Sequence, residues 1–420
     1  MSTAAKPSIT HNPVTLSQDS KTIALVSIAH GLSHFFHLII APLFPWLKDD
    51  FKVSYVELGL LMTVFFVVSG TGQAMAGFLV DKKGPRPVLM VAIAGFVVSA
   101  LVLSMAQSYW VLVVGVAIAG AANSVFHPVD FSILNARISP PRLGYAFTAH
   151  GLSGNLGWAG ATAFLAGMAA LLGWRTALYC AAGLASAVWV LLWVYKAHID
   201  VPVATKSAVS VGKTDTQAPA SDSTFGFLAS SQVWLCFGFF ALATMALSSF
   251  QTFGSTLLKD QYGFSAGLAS QVVTLYLVCG AVGMVVGGWL VTRVARSEQQ
   301  IALAYGLSAL GALAIALHWL PPVLALVVIA LMGFAYGLAG PSRDMLIKKS
   351  TPKGATGRVY GVVYSGADVG FAIGPVLCGW LIDHQLGSGV FYALAVFQVL
   401  AIACAYSVGS QQGKVVSAPV

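Results

Sequence analysis

Few residues of this chain could do chemistry inside an apolar protein, and they are bunched. His30, His34 and His37 follow one another at spacings of four and three, which places three imidazoles on one face of a helix. Asn123, His127 and Asp130 repeat the same spacing. His150 and Asn155 come next, and Tyr336, Arg343, Asp344 and Asp368 stand far downstream. Imidazole titrates near neutral pH and ligates transition metals, so these positions could carry a proton or a cation. A carboxylate one turn away raises an imidazole's proton affinity and sets its tautomer, so His127 with Asp130 is the expected proton-carrying pair. Arg343 keeps its charge and offers a planar fork of donors suited to a carboxylate or phosphate, or to an internal ion pair with Asp130 or Asp368. Asp344, with Lys348 four residues on, reads as a helix-end ion pair. The candidates for proton coupling are therefore His127, Asp130, His34 and Asp368. Those for solute binding are His30, His34, His37, Asn123, His150, Asn155, Tyr336 and Arg343. Neither a catalytic residue nor a resident metal or cofactor is expected.

The elements that must hold these groups are membrane spans. A composition of 57% hydrophobic and 9% charged residues is not that of a water-soluble surface. Apolar segments long enough to cross a bilayer run roughly over 23–47, 56–80, 87–106, 109–135, 144–172 and 174–195, with Pro128 expected to bend the fourth. A second set lies roughly over 230–258, 266–292, 300–319, 322–347, 358–382 and 388–408. The organisation expected is a tail over 1–22, a six-helix bundle over 23–196, a Ser/Thr/Ala/Pro-rich flexible connector over 197–229, a second bundle over 230–408 and a tail over 409–420. No cleavable leader is expected, the first span serving as its own insertion signal. Cys180, Cys236, Cys279, Cys378 and Cys404 fall inside apolar stretches without metal-binding spacing and read as buried free thiols.

The charge of +8 is a matter of topology and not of nucleic-acid binding, because the basic residues are spread through short loops. Of 22 Lys and Arg, only Lys48, Lys52, Arg175 and Lys259 fall outside when both termini are placed inside, and Arg343 lies within a span. That bias puts both termini in the cytoplasm. The halves also echo each other. Ser139-Pro140 matches Thr351-Pro352, Arg142 matches Arg358, Gly154 falls opposite Gly370, and Asp130 lies within one residue of Arg343 in that register. Glycines at 151, 154, 157 and 160 and at 366, 370, 374 and 379 offer small faces for close helix packing.

Between the second and third spans runs Gly77-Phe78-Leu79-Val80-Asp81-Lys82-Lys83-Gly84-Pro85-Arg86. Its glycines allow a tight turn, its basic residues hold the loop inside, and Asp81 can pair with a helix terminus or a cation. The run resembles the signature loop of the major facilitator superfamily, with Gly77, Asp81, Lys82, Gly84 and Arg86 in place and Pro85 at a basic position. The glycines of the fifth span resemble the glycine-proline motif of superfamily antiporters. Trp158 stands where that motif has proline, and Val116 stands where those antiporters carry arginine. The Gly-Asn-Leu-Gly stretch of the fifth span is similar to that of fosmidomycin-resistance-type exporters.

The resemblance implies an all-α membrane protein of twelve spans in two pseudo-symmetric six-helix bundles, acting as a single chain in the cytoplasmic membrane and working by alternating access. The expected function is proton-coupled transport of a small organic anion, with protons, solute and lipid as partners and no nucleic acid. Two alternatives use the histidines otherwise: transport of a transition metal or its complex, and an intramembrane His-box metal enzyme. A receptor on a transporter scaffold would need a soluble output domain, for which the connector and tails leave no room. The absence of a phosphate-binding G-x-x-x-x-G-K-[ST] loop points to an ion gradient as energy source.

Overall fold

The computed structural model describes residues 16–201, 230–291, 293–294, 296–350 and 356–416, and all regular structure among them is helical. The connector expected over 197–229 lies mostly outside the described residues, as do Thr351 and Pro352. The first half comprises α1 (Leu16–His37), α2 (Phe44–Phe51), α3 (Tyr55–Lys83), α4 (Pro85–Ser104), α5 (Tyr109–Asn123), α6 (Phe126–Arg137), α7 (Leu143–Leu172) and α8 (Trp174–Val194). The second comprises α9 (Ser231–Tyr262), α10 (Ala266–Val291), α11 (Ser297–Ala316), α12 (Pro322–Ser350), α13 (Thr356–Asp383) and α14 (Gly387–Val416). Eleven helical stretches are long and apolar enough to span a bilayer, and α1 with α2 makes the twelfth as a pair bent by 40°.

The first span thus departs from the single stretch expected over 23–47. It begins at Leu16 and breaks after His37, where Leu38–Ala41 lead into a turn of 3₁₀ helix with Pro42 in its first turn. Proline supplies no amide donor and cannot continue the preceding helix. The fourth span breaks at Ser124-Val125, between α5 and α6, for the same reason. Pro128 leaves the Ser124 carbonyl without its donor, and the regular ladder resumes with Val129 donating to Val125 at 3.0 Å. At the other extreme of the chain α14 runs on to Val416, past the end expected near 408.

The end of the bundle where α1 starts and α14 finishes is called the termini end, and the opposite end the far end. Lys48, Lys52, Arg175 and Lys259 stand at the far end, while the α3–α4 hairpin stands at the termini end. In that hairpin Gly84 has φ 84°, a conformation open to glycine, and lets α4 start directly at Pro85. Arg86 pairs with Asp200 at 3.3 Å. Asp81 is exposed, with no hydrogen bond or ion pair among the described residues, and Gly77 faces open space, so neither is in close contact in this conformation.

The repeat shows in how the glycine helices dock. A Cβ on Gly157 of α7 would strike the Gly31 carbonyl of α1, and one on Gly154 would strike the His34 ring. In the second half Gly366, Gly370 and Gly374 of α13 seat in the same way on α9, at Phe237, Ala241 and Met245. Gly151 and Gly160 face open space, so only Gly154 and Gly157 of the four glycines expected to pack closely do so. The halves meet along α3 and α13 and, on the other side, along α7 and α10. Gly59 sits against the Pro375 carbonyl, Thr63 donates to the Ala372 carbonyl at 2.6 Å, and Phe66 stacks on Phe371 with ring centres 4.4 Å apart.

Candidate functional site

Close approach of α7 to α1 brings His150 to the histidine face of α1, and the bend at Ser124 turns α6 so that Asp130 points at both. Asp130 is fully buried. Its Oδ2 lies 3.0 Å from Nδ1 of His30 and 3.0 Å from Nε2 of His150, so each imidazole presents an N–H to the same carboxylate oxygen. The two rings stack on each other with centres 3.5 Å apart. The other oxygen, Oδ1, has no partner among the described residues, and no Lys or Arg pairs with this carboxylate there.

His127, expected beside Asp130, turns the other way and bonds Gln73 of α3 through Nδ1 at 3.1 Å. Residues three apart on a helix diverge by about 60° in direction, and α1 and α3 lie on different sides of α6. His127 still has its ring centre 5.4 Å from that of His30. From His30 the imidazoles continue up α1, with ring centres 4.5 Å apart to His34 and a further 4.6 Å to His37. Trp158 of α7 closes this column, with its indole N–H directed at His37 Nδ1 at 3.3 Å, so neutral His37 carries its proton on Nε2. Both His37 Nε2 and His34 Nδ1 are buried without a partner among the described residues. Phe65, Phe66 and Phe371 pack edge-on to His37 and form an aromatic lid between the halves.

Asn123 is engaged by side chains of two neighbouring helices in this conformation. Its Oδ1 accepts from Ser33 at 2.7 Å and its amide donates to Ser69 at 2.9 Å, which ties α1, α5 and α3 together. Asn155 reaches Met284 of α10, with Nδ2 to Sδ at 3.5 Å. Arg343 lies across the molecule from the histidines, on α12, and pairs with neither Asp130 nor Asp368. Its Nε donates to the neighbouring Asp344 at 3.1 Å and its guanidinium lies 4.8 Å from the centre of the Phe240 ring. Asp344 therefore takes Arg343 as a partner, and the side chain of Lys348 lies outside the described ones. Tyr336 stacks with Tyr305 of α11, their ring centres 5.5 Å apart. Asp368 is half-buried against Gly70 of α3, with no hydrogen bond or ion pair of its own among the described residues.

Two groups have ligand atoms close enough to hold one metal ion: His30, His34 and His127, and His30, Asp130 and His150, each within 4.8 Å. They share His30, so one ion on either set would engage the imidazole that serves Asp130. Of the five thiols, Cys236 and Cys378 are buried, whereas Cys180, Cys279 and Cys404 are half-buried instead of sunk in the core as expected.

Sequence reasoning missed Gln73, Trp158, Ser33 and Ser69 as partners. Trp158 was visible one turn from Asn155 as an aromatic among glycines. The serines carried no signal, since a helical Ser most often bonds its own backbone.

A twelve-span, two-half helical bundle with a buried carboxylate–imidazole cluster among α1, α6 and α7 is the architecture of a membrane transporter. The family model of the Major Facilitator Superfamily matches residues 26–365 and 257–418, and the chain belongs to that superfamily. It is 26% identical over 404 residues to the uncharacterised MFS-type transporter YfnC of Bacillus subtilis (strain 168), covering 95% of this chain and 94% of the relative. The fosmidomycin resistance protein of Escherichia coli (strain K12) is 28% identical over 32% of this chain and 33% of its own length. The gallate transporter of Pseudomonas putida is 28% identical over 69% of each chain. Among solved structures, a bacterial homologue of the human lysosomal transporter Spinster, described as inward-facing and occupied, superposes with a TM-score of 0.74 at 14% identity, over 94% of this chain and 98% of its own. The protein is a secondary transporter and not an enzyme.

Proposed function

We propose that this transporter couples the movement of a small organic anion to protons, with the Asp130–His30–His150 cluster as the proton site. The observation that carries this reading is a fully buried carboxylate held by two imidazoles with no Lys or Arg paired to it among the described residues. An uncompensated charge in a membrane interior is expensive, so a proton on one imidazole, or on the carboxylate, is its natural counter-charge. The stacked rings limit the load to one, because a second proton would place two imidazolium rings face to face. The cluster thus alternates between a charge of −1 and neutrality. Asp368, which unlike Asp130 has no hydrogen bond or ion pair among the described residues, is a second candidate for protonation during the cycle.

Arg343 supports the anionic character of the solute. Its charge is permanent, its Asp344 partner is half-exposed, and an incoming carboxylate could take over the guanidinium fork. The name of the Pseudomonas putida relative, a gallate transporter, agrees with a carboxylate cargo. The halves rock about the α3–α13 seam, the termini end faces the cytoplasm across the inner membrane, and a single chain suffices. In this conformation the seam is closed at the far end.

The test is uptake of radiolabelled gallate, benzoate and glucuronate into proteoliposomes under an imposed pH gradient, acid outside. Gradient-driven accumulation that fails in Asp130→Asn, while solute exchange persists, is the expected result. Accumulation unchanged in Asp130→Asn would remove the cluster from coupling, and accumulation of zinc or nickel in place of the anions would reassign the histidines to metal.

A further inference from the structure

His30, His34 and His127 gather beside the cluster that holds Asp130. Their ring nitrogens lie within 4.8 Å of one another, two on α1 and one on α6. The ring centre of His30 stands 4.5 Å from that of His34 and 5.4 Å from that of His127. Three imidazoles suit zinc, nickel or copper and not magnesium or calcium, which take oxygen ligands. With Zn–N bonds near 2.0–2.1 Å, the nitrogens around a tetrahedral ion stand roughly 3.4 Å apart. From the 4.8 Å limit the rings need to close by at most about 1.4 Å, which small side-chain rotations supply.

What separates this group from a chance meeting of rings is how each ring is held. His30 donates through Nδ1 to Oδ2 of Asp130 at 3.0 Å, which leaves Nε2 as the nitrogen with an available lone pair. His127 faces Oε1 of Gln73 through Nδ1 at 3.1 Å. An amide oxygen only accepts, so Nδ1 carries the proton and Nε2 is again the available nitrogen. One ring N–H held by a carboxylate or amide oxygen, with the opposite nitrogen left bare, is the arrangement that orients metal-binding histidines and raises their basicity. His34 adds a buried Nδ1 without a partner among the described residues.

The alternative set, His30, Asp130 and His150, is already spent on itself. An ion there would have to displace both N–H groups from Oδ2 of Asp130. An ion on His30, His34 and His127 keeps both of those bonds and uses Asp130 as an outer partner. The same carboxylate, which pairs with no Lys or Arg among the described residues, makes the neighbourhood favourable to a cation.

We propose that His30, His34 and His127 form an inhibitory site for a divalent transition metal, zinc, nickel or copper, held by three imidazoles with a fourth position open to water. The ion is a ligand and not cargo. It clips α1 to α6 within the first half and gives Asp130 a positive charge that does not leave when the pH gradient calls for it. Driven transport stops because the counter-charge of the carboxylate is then fixed. Inhibition rests on the coupling reading above, whereas binding of the ion does not.

The experiment titrates the purified full-length protein with cobalt(II), whose visible absorption is intense when its site is tetrahedral, and then displaces it with zinc. One tetrahedral ion per chain is expected, lost in His127→Ala, weakened about 10- to 100-fold in Gln73→Leu and unchanged in His37→Gln, whose ring lies outside the set. Gly154→Ala places a methyl 2.7 Å from Cε1 of His34 and pushes that ring aside, so it should weaken binding with all three ligands still in the chain. Only variants that stay monodisperse are compared. In proteoliposomes zinc should inhibit gradient-driven anion uptake, and radioactive zinc should remain outside. A wild-type protein without the tetrahedral spectrum overturns the site, and a spectrum indifferent to both His127→Ala and Gly154→Ala places the ion elsewhere. Accumulated zinc would make it cargo, and binding without inhibition would end the inhibitory role. If Asp130→Asn accumulates anion as the wild type does, the coupling reading fails and inhibition with it, while the cobalt spectrum still decides the metal site.

Discussion

Asp130 and Arg343 occupy nearly matching places in the two repeats, yet their surroundings differ in kind. Asp130 is fully buried and has only imidazoles, groups that gain and lose protons, for partners. Arg343 has a carboxylate beside it, half-open to solvent, and an aromatic ring under it. The first environment leaves a charge to be balanced by something mobile, and the second leaves a fixed charge able to exchange one anionic partner for another. On the proposed function, two halves built on one plan divide the work: titration in the first, recognition in the second.

The largest effect that could break this division is expected from Asp130→Asn. Gradient-driven uptake should fall to background while exchange at equal pH survives, as measured in proteoliposomes. If exchange is lost as well, Asp130 serves binding or folding and the contrast disappears. Arg343→Ala comes next. Loss of a charge-assisted contact of about 1.5–3 kcal/mol predicts a roughly 10- to 100-fold rise in the KM for anions, with the proton dependence retained. Arg343→Lys should recover only part of it, because a point charge does not replace the fork.

A smaller effect sharpens the role of packing in assembling the titrating half. Gly157→Val drives a side chain into the Gly31 carbonyl and should lower the thermal midpoint, with overpacking costing about 1–3 kcal/mol, and should separate His150 from His30. Gly160→Ala, facing open space three residues on, should change stability by less than about 0.5 kcal/mol. Asn123→Ala removes the bonds to Ser33 and Ser69 and should cost on the order of 1–2 kcal/mol by thermal denaturation without altering the pH profile of uptake. A raised KM for the solute would support Asn123 as a solute contact.

The spans were readable because apolar length is a one-dimensional property. Prolines 42 and 128 marked where two of them break, though only the second break was anticipated from the residue. The candidate histidines were readable from helical spacing, which says which side chains share a face. It does not say what that face meets. His150 reaches Asp130 because two glycines let α7 lie against α1, and His127, three residues from Asp130 on α6, is turned toward Gln73 of α3. The unpartnered hydroxyls of Thr252 and Thr256 on α9 were invisible for a plainer reason. A helical Ser or Thr usually bonds a carbonyl of its own helix, and the failure to do so is a matter of rotamer and burial.

Composition and the lengths of the apolar segments alone were enough to specify a twelve-span membrane protein, because the cost of placing charge in lipid acts residue by residue. The superfamily was legible in a single hairpin. What only the tertiary structure decided is pairing: that Asp130 answers to His30 and His150, that Arg343 answers to Asp344, and that Asp383 of one half caps a helix of the other, α3, at the backbone N–H groups of Tyr55 and Val56. Each of these depends on the rotation and separation of helices distant in sequence. Those are set by close packing at a few glycines and by two proline breaks, and no local pattern encodes which neighbour they will admit.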